Sequence, residues 1–155
     1  MEEDILFMQE ALLEAQKAFE LDETPIGAII VHQGKIIGRG CNRRNTDKNS
    51  LAHAEIIAIN EACKNVGDWR LEECTMYVTL EPCPMCAGAI VQARIPRVVF
   101  GASSPKAGFG GSVINVLQME TLNHRCEVVR GLGQDEASDL LKIYFKAMRN
   151  KNTKE

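Results

Sequence analysis

Two cysteines spaced as C-x2-C are the residues best suited to chemistry in this chain. Cys83 and Cys86 follow an apolar segment, at a point where Pro84 favours the start of a helix. The positive end of a helix lowers the pKa of a thiol, and the thiolate is the form that binds a metal. Upstream, His53 can supply a third ligand, and Glu55 follows two residues later. Three protein ligands, an open position for water and a separate carboxylate are what a zinc hydrolase needs.

The cysteine pair also has two less demanding interpretations. A redox C-x2-C pair is one, but a thioredoxin-type site needs neither His53 nor Glu55. A structural zinc site is the other, and it requires a fourth ligand. The candidates for that ligand belong to no second C-x2-C or H-x3–5-H arrangement: Cys63, Cys74, Cys126 and His124. Because His53 and Glu55 accompany the pair, the catalytic interpretation is favoured.

Helical and strand patterns alternate along the segments that must position these residues. Alternation around Gln33-Gly34 predicts a hairpin of strands 26–32 and 35–41, and the apolar run 74–80 predicts a strand buried on both faces. Apolar periodicity and Pro or Gly punctuation predict the other elements: helices 3–20, 51–66, 84–93 and 135–149, and strands 97–101 and 127–129. This order predicts an α/β fold, a three-layer α/β/α sandwich with a mixed central sheet of about five strands.

Both halves of the motif fall at predicted helix starts. His53 and Glu55 lie in the predicted first turn of helix 51–66, and two helix N-termini aimed at one point would form a pocket that attracts an anion. The glycine-rich segment 102–112 predicts a long functional loop. The closing helix has one apolar face, and Phe145 is predicted to lie in the core. That face consists of Leu140, Leu141, Tyr144, Phe145 and Met148.

Length and composition predict a single domain over residues 1–155. The chain is 45% hydrophobic and 25% charged, as in ordinary globular proteins. No apolar run approaches the roughly 20 residues that cross a bilayer. The acidic N-terminus lacks the basic region of a signal peptide, so we expect a cytoplasmic protein that does not associate with membranes.

Charge is distributed unevenly although the net charge is only −3. Residues 1–23 contain eight acidic residues and one basic residue, whereas basic residues are in excess over the remainder. They concentrate in the segments 35–48 and 142–154, and the latter includes a predicted basic C-terminal tail at about 150–155. A basic face is compatible with phosphate binding, although on charge alone a solvated surface is the favoured interpretation.

The motif His53-Ala54-Glu55 together with Pro82-Cys83-x-x-Cys86 resembles the signature of the cytidine deaminase superfamily. Longer segments resemble the bacterial tRNA-specific adenosine deaminases, the TadA family. The likeness extends over about residues 5–149. The matching segments are 25–28, Asn42, 79–90, 94–102, 105–106, 111–112 and 123–125.

This resemblance implies a cytidine deaminase-like fold and an enzyme that converts adenosine to inosine at the wobble position of a tRNA anticodon. It implies a homodimer with one Zn²⁺ per subunit, in which both subunits contact each anticodon loop. Zinc would be held by His53, Cys83 and Cys86, with zinc-bound hydroxide attacking C6 and Glu55 shuttling the proton. By the same resemblance, the substrate contacts are Asn42, Ala54, Lys106 and Asn123. On spacing alone, Asn42 could equally be a turn-forming residue after a strand.

Two other functions remain open on the sequence. A guanine or cytosine deaminase of the same superfamily would share the zinc ligands and Glu55, and a non-catalytic, zinc-stabilised RNA-binding module would need only the metal site. The chain also departs from the common family pattern in two places. Ser50-Leu51-Ala52 precedes His53 where Pro-Thr is frequent, and Phe109 occupies a loop position where smaller residues are common.

Overall fold

The computed structural model describes residues 2–153 and contains, over that range, four helices and five strands. Their order and type confirm the predicted three-layer α/β/α fold. In chain order the elements are α1 (Glu2–Glu20), β1 (Gly27–His32), β2 (Lys35–Cys41), α2 (Ala54–Val66), β3 (Cys74–Leu80), α3 (Pro84–Gln92), β4 (Arg97–Ala102), β5 (Glu127–Arg130) and α4 (Gln134–Thr153).

The sheet is mixed, with strand order β2-β1-β3-β4-β5. Strand β1 pairs antiparallel with β2 and β3, while β3, β4 and β5 run parallel to one another. The β1–β2 hairpin turns at Gln33 and Gly34, whose φ angles of 50° and 76° are those that a two-residue turn between twisted strands requires. The carboxyl ends of β3 and β4 therefore lie side by side, next to the segment that enters α3.

Successive strand residues face opposite sides of the sheet and build two apolar cores. Ile30, Met76 and Phe100 pack on one side against the alanine-rich faces of α2 and α3. Ile29 and Tyr77 pack on the other side against α1. Helices α2 and α3 therefore share one face of the sheet, so their N-termini can meet.

A close contact between β2 and α2 fixes the height of α2 above the sheet. A Cβ atom on Gly40 would stand 2.2 Å from the Ala54 carbonyl oxygen, and one on Gly38 would stand 2.3 Å from the Ala58 carbonyl oxygen. Both distances are far inside van der Waals contact, so only glycine allows the helix backbone to approach this strand.

An ion pair ties the start of α1 to the sheet. The Asp4 carboxylate accepts two hydrogen bonds from Arg97, at 2.9 and 2.7 Å, and one from the Tyr77 hydroxyl at 2.6 Å. The hydrogen bonds from Arg97 lower the pKa of Asp4 to about 2.

None of the described helices is both long enough and apolar enough to cross a membrane.

Three local predictions need correction. Helix α2 begins at Ala54 and not at Leu51, because the preceding residues form a turn in which the Asn49 side-chain oxygen accepts a hydrogen bond from the Leu51 N–H. His53 is therefore the N-cap of α2 and does not lie in its first turn. Helix α4 continues to Thr153, so much of the expected C-terminal tail is helical, and Lys154 and Glu155 lie outside the described residues. Phe145 is 47% exposed and not in the core, because the inward face of α4 is centred on Tyr144.

Candidate metal centre and active site

The N-caps of α2 and α3 bring the three predicted ligands together. His53 and Cys83 each occupy an N-cap with extended backbone, and neither side chain makes a capping hydrogen bond. Both side chains point instead into the gap between the two helices. The His53 Nδ1 atom lies 3.6 Å from the Cys83 sulphur and 3.5 Å from the Cys86 sulphur.

These separations fit one tetrahedral ion. With a Zn–S distance of about 2.3 Å and a Zn–N distance of about 2.0 Å, the nitrogen and a sulphur of a tetrahedral site stand about 3.5 Å apart. A donor set of one imidazole and two thiols at these separations suits a tetrahedral metal ion. Among the described residues, this is the one group of three His, Cys, Asp or Glu side chains whose ligand atoms all lie within 4.8 Å of one another.

The candidates for a fourth protein ligand lie elsewhere. His124 Nε2 is 2.6 Å from the Ile95 carbonyl oxygen, and the Cys126 thiol donates to the same oxygen. The Cys63 thiol donates to the Trp69 carbonyl. A site with three ligands leaves one coordination position for a non-protein ligand, as in catalytic metal centres.

The two thiols share their proton unequally. A hydrogen bond from the Cys86 thiol lowers the pKa of Cys83 to about 5, and backbone N–H groups of α3 and His53 act in the same direction. The same hydrogen bond, together with burial, raises the pKa of Cys86 far above its ordinary value. The cluster is therefore already partly anionic, and a cation would displace the remaining proton.

Glu55 lies in the first turn of α2, against the ligand cluster. Glu55 is 4% exposed, and its carboxyl group interacts with the Cys86 thiol. Burial raises the pKa of Glu55 to about 7, and the neighbouring Cys83 thiolate acts in the same direction. A carboxyl group with a pKa near neutrality can both accept and donate a proton during one reaction cycle.

Asn42 is built into this site from the end of β2. Its side-chain oxygen accepts a hydrogen bond from the Ala54 N–H at 2.9 Å, and the residue is 9% exposed. Asn42 therefore holds the first turn of α2 with its oxygen, while none of the described contacts engages its NH2 group. Ala54 itself is fully buried.

A buried carboxylate also holds the loop between Asn42 and His53. Glu23 is 2% exposed and accepts hydrogen bonds from the Asn45 and Thr46 N–H groups and from the Thr46 hydroxyl. Sequence reasoning missed this role because Glu23, just after α1, is not distinguished by its neighbours from the acidic residues of that helix.

Lys106 and Asn123 lie on exposed loops. The loop that contains Lys106 is fastened to the residues just before Cys83, through the Glu81 carboxylate and the Pro82 carbonyl. No described contact joins Asn123 to the ligand cluster. A cavity of about 860 Å³ lies between α1 and α4 on the opposite face of the sheet, so it is not part of this site.

Comparison with known proteins identifies the family. The family model of the MafB19-like deaminases matches residues 1–149. A tRNA-specific adenosine deaminase of Bacillus subtilis (strain 168) is 52% identical over 151 residues, which make up 97% of this chain and 94% of that protein. The chain belongs to the tRNA-specific adenosine deaminase family.

Solved structures agree with membership of this deaminase family. A structure from studies of A-to-I editing by tRNA:A34 deaminases at the wobble position of transfer RNA is 44% identical, with a TM-score of 0.84, and the match covers 87% of this chain and 98% of that one. A guanine deaminase from Nitrosomonas europaea is 26% identical, with a TM-score of 0.79, covering 90% and 83%. The deaminase fold is thus shared with enzymes that act on free bases.

Proposed function

We propose that this chain catalyses the hydrolytic deamination of adenosine to inosine at the wobble position of a tRNA anticodon. Its 52% identity to a tRNA-specific adenosine deaminase over nearly the whole chain supports the substrate. The observation that carries the chemistry is the position of Glu55, a buried carboxyl group in contact with the three side chains that could hold a metal.

The proposed resident metal is Zn²⁺, one per chain, on His53, Cys83 and Cys86. When bound there, zinc would supply a water molecule activated for attack on C6 of adenine. Glu55 accepts the proton that this water loses and passes it to the exocyclic amine, which leaves as ammonia. The carboxyl group must be unprotonated before the first transfer and protonated before the second, so one group in contact with the ligand cluster serves both.

Substrate contacts are proposed for Asn42, Lys106, Asn123 and Ala54. The carboxamide of Asn42 is anchored through its oxygen at Ala54, so its NH2 group can donate to the purine. Lys106 and Asn123 are exposed and can meet the RNA backbone. Because Ala54 has no exposed surface, we expect its role to be indirect, through Asn42. A base that must reach a buried metal has to leave its stack, which favours a single-stranded loop as substrate.

Assembly and location follow from the same proposal. We propose a homodimer with a shared RNA site, formed by one domain per chain over residues 1–155 and working in the cytoplasm. Exposed apolar side chains on the loops provide surface that a second copy would cover: Leu51, Val113, Ile114 and Leu122. Light scattering at micromolar concentration should give the mass of two chains.

One alternative substrate has specific support, since a guanine deaminase shares the fold with a TM-score of 0.79. The test is to incubate the zinc-loaded protein separately with transcribed tRNA and with free guanine, and to quantify inosine and xanthine by mass spectrometry. Inosine at the wobble position supports the proposal. Turnover of guanine without change in the tRNA would overturn it, and the absence of both reactions would favour a non-catalytic RNA-binding module.

A further inference from the structure

Glu81 is a buried carboxylate for which the chemistry described above has no use. It follows the last residue of β3, stands two residues before Cys83, and is 2% exposed. The contacts described for its two carboxylate oxygens are hydrogen bonds from Ser104, Gly110 and Ser112. A charge buried in this way must be stabilised by hydrogen bonds.

Those hydrogen bonds all come from one loop. Oε1 accepts from the Ser104 N–H at 3.0 Å and from the Ser112 hydroxyl. Oε2 accepts from the Gly110 N–H at 3.0 Å and from the Ser112 N–H at 2.9 Å. The segment 103–113, which we call the Lys106 loop, therefore wraps around a single carboxylate.

Two further features show how tightly the loop is held. A Cβ atom on Gly108 would stand 2.3 to 2.5 Å from the carboxyl atoms of Glu81, so only glycine admits the carboxylate at this point. The Phe109 N–H donates to the Pro82 carbonyl at 2.8 Å. The loop is thus fastened to both residues that immediately precede Cys83.

We propose that Glu81 is a positioning residue that sets the Lys106 loop relative to the metal centre, so that Lys106 meets the RNA backbone. This inference rests on the proposed function. The carboxylate is attached to the same short segment as Cys83 on one side and to the loop on the other. Its four accepted hydrogen bonds, made by a charged group, convert a glycine-rich segment into a fixed surface.

The first experiment compares wild type with Glu81→Gln by hydrogen exchange in the absence of RNA. Glutamine keeps the size of the side chain but presents an NH2 group where N–H donors converge. We expect the Gly110 and Ser112 amides to exchange about ten- to a hundredfold faster, as for lost hydrogen bonds to a charged group. Zinc content should stay at the wild-type value. Ser112→Ala, which removes only the hydroxyl donor, should give a smaller change in the same direction.

The second experiment measures kcat and KM on transcribed tRNA. Glu81→Gln should raise KM on the order of tenfold while kcat changes less than about threefold. Lys106→Ala should raise KM in the wild type and add little in the Glu81→Gln background, since the two residues then act as one unit.

The outcomes separate this inference from the proposed function. Wild type that forms no inosine in tRNA overturns the proposed function, while the exchange experiment still tests the attachment of the loop. Unchanged exchange in Glu81→Gln, or a Lys106→Ala effect that is fully additive with it, overturns the positioning role. If Glu81→Gln fails to fold, the same criteria apply to Ser112→Ala. Wild-type exchange rates and a wild-type KM in Ser112→Ala would then overturn the positioning role.

Discussion

Adding one methyl group to Gly40 should displace the helix that carries Glu55. The new Cβ atom would stand 2.2 Å from the Ala54 carbonyl oxygen and 2.8 Å from the Ala58 nitrogen. Both are backbone atoms of α2, so no side-chain rotation relieves the contact. Restoring an ordinary separation requires the first turn of α2 to move by about 1 Å, in a core that is close-packed.

The expected cost of Gly40→Ala has two parts. Overpacking of this kind lowers the free energy of unfolding by about 1–3 kcal/mol, measurable by urea denaturation. A displacement of about 1 Å at a catalytic group lowers kcat by about 10²-fold. The second effect is measured on zinc-loaded, folded protein with saturating tRNA, so that loss of stability does not contribute to it.

Gly38→Ala is the matched control. Its Cβ atom would stand 2.3 Å from the Ala58 carbonyl oxygen, which is the same kind of clash one turn further from Glu55. We expect a similar loss of stability and a much smaller loss of kcat. Equal kcat values for the two variants, or a Gly40→Ala protein as stable as wild type, would refute the reasoning.

Three further predictions concern a charge, a ligand and a cap. Because Arg97 lowers the pKa of Asp4 from the ordinary 3.8 to about 2, the ionised Asp4 should contribute about 2 kcal/mol to the free energy of unfolding above pH about 4 and lose this contribution as the pH falls towards 2. Urea unfolding of wild type and Asp4→Asn should therefore converge in acid, and a constant difference would contradict this. The Cys83→Ser variant should lose zinc and activity together. If this variant bound zinc at the wild-type stoichiometry, Cys83 would not be a zinc ligand. Asn42→Asp should keep the hydrogen bond to Ala54 and thus the thermal stability, yet lower kcat/KM on tRNA by about tenfold or more, because it removes an NH2 donor. Wild-type kinetics in Asn42→Asp would show that Asn42 only holds the start of α2 and does not contact the substrate.

Local signals in the sequence were sufficient for much of the fold. The Gln33-Gly34 turn, the strand 74–80 and the helix start at Pro84 are each specified within a few residues, and the structure has them where they were predicted. Element order then implied the mixed sheet. The structure also brings together the three side chains predicted as metal ligands, since the motif places each at a helix start.

What the sequence did not reveal depends on contacts between distant segments. Glu81 and Ser112 are separated by 31 residues, and neither has a neighbour that marks the hydrogen bond between them. The need for glycine at position 40 arises only when α2 lies against β2. Phe145 was placed in the core because helical periodicity identifies an apolar face but not how far that face is covered.

The central claim is that Glu55 moves the proton in a reaction at a metal held by His53, Cys83 and Cys86. The most direct measurement is single-turnover inosine formation by Glu55→Gln, with zinc content determined on the same sample. Removal of a general acid–base group predicts a rate lowered by about 10²–10⁴-fold, with zinc retained at one per chain. A variant that binds zinc and deaminates tRNA at a rate close to that of wild type would contradict the account.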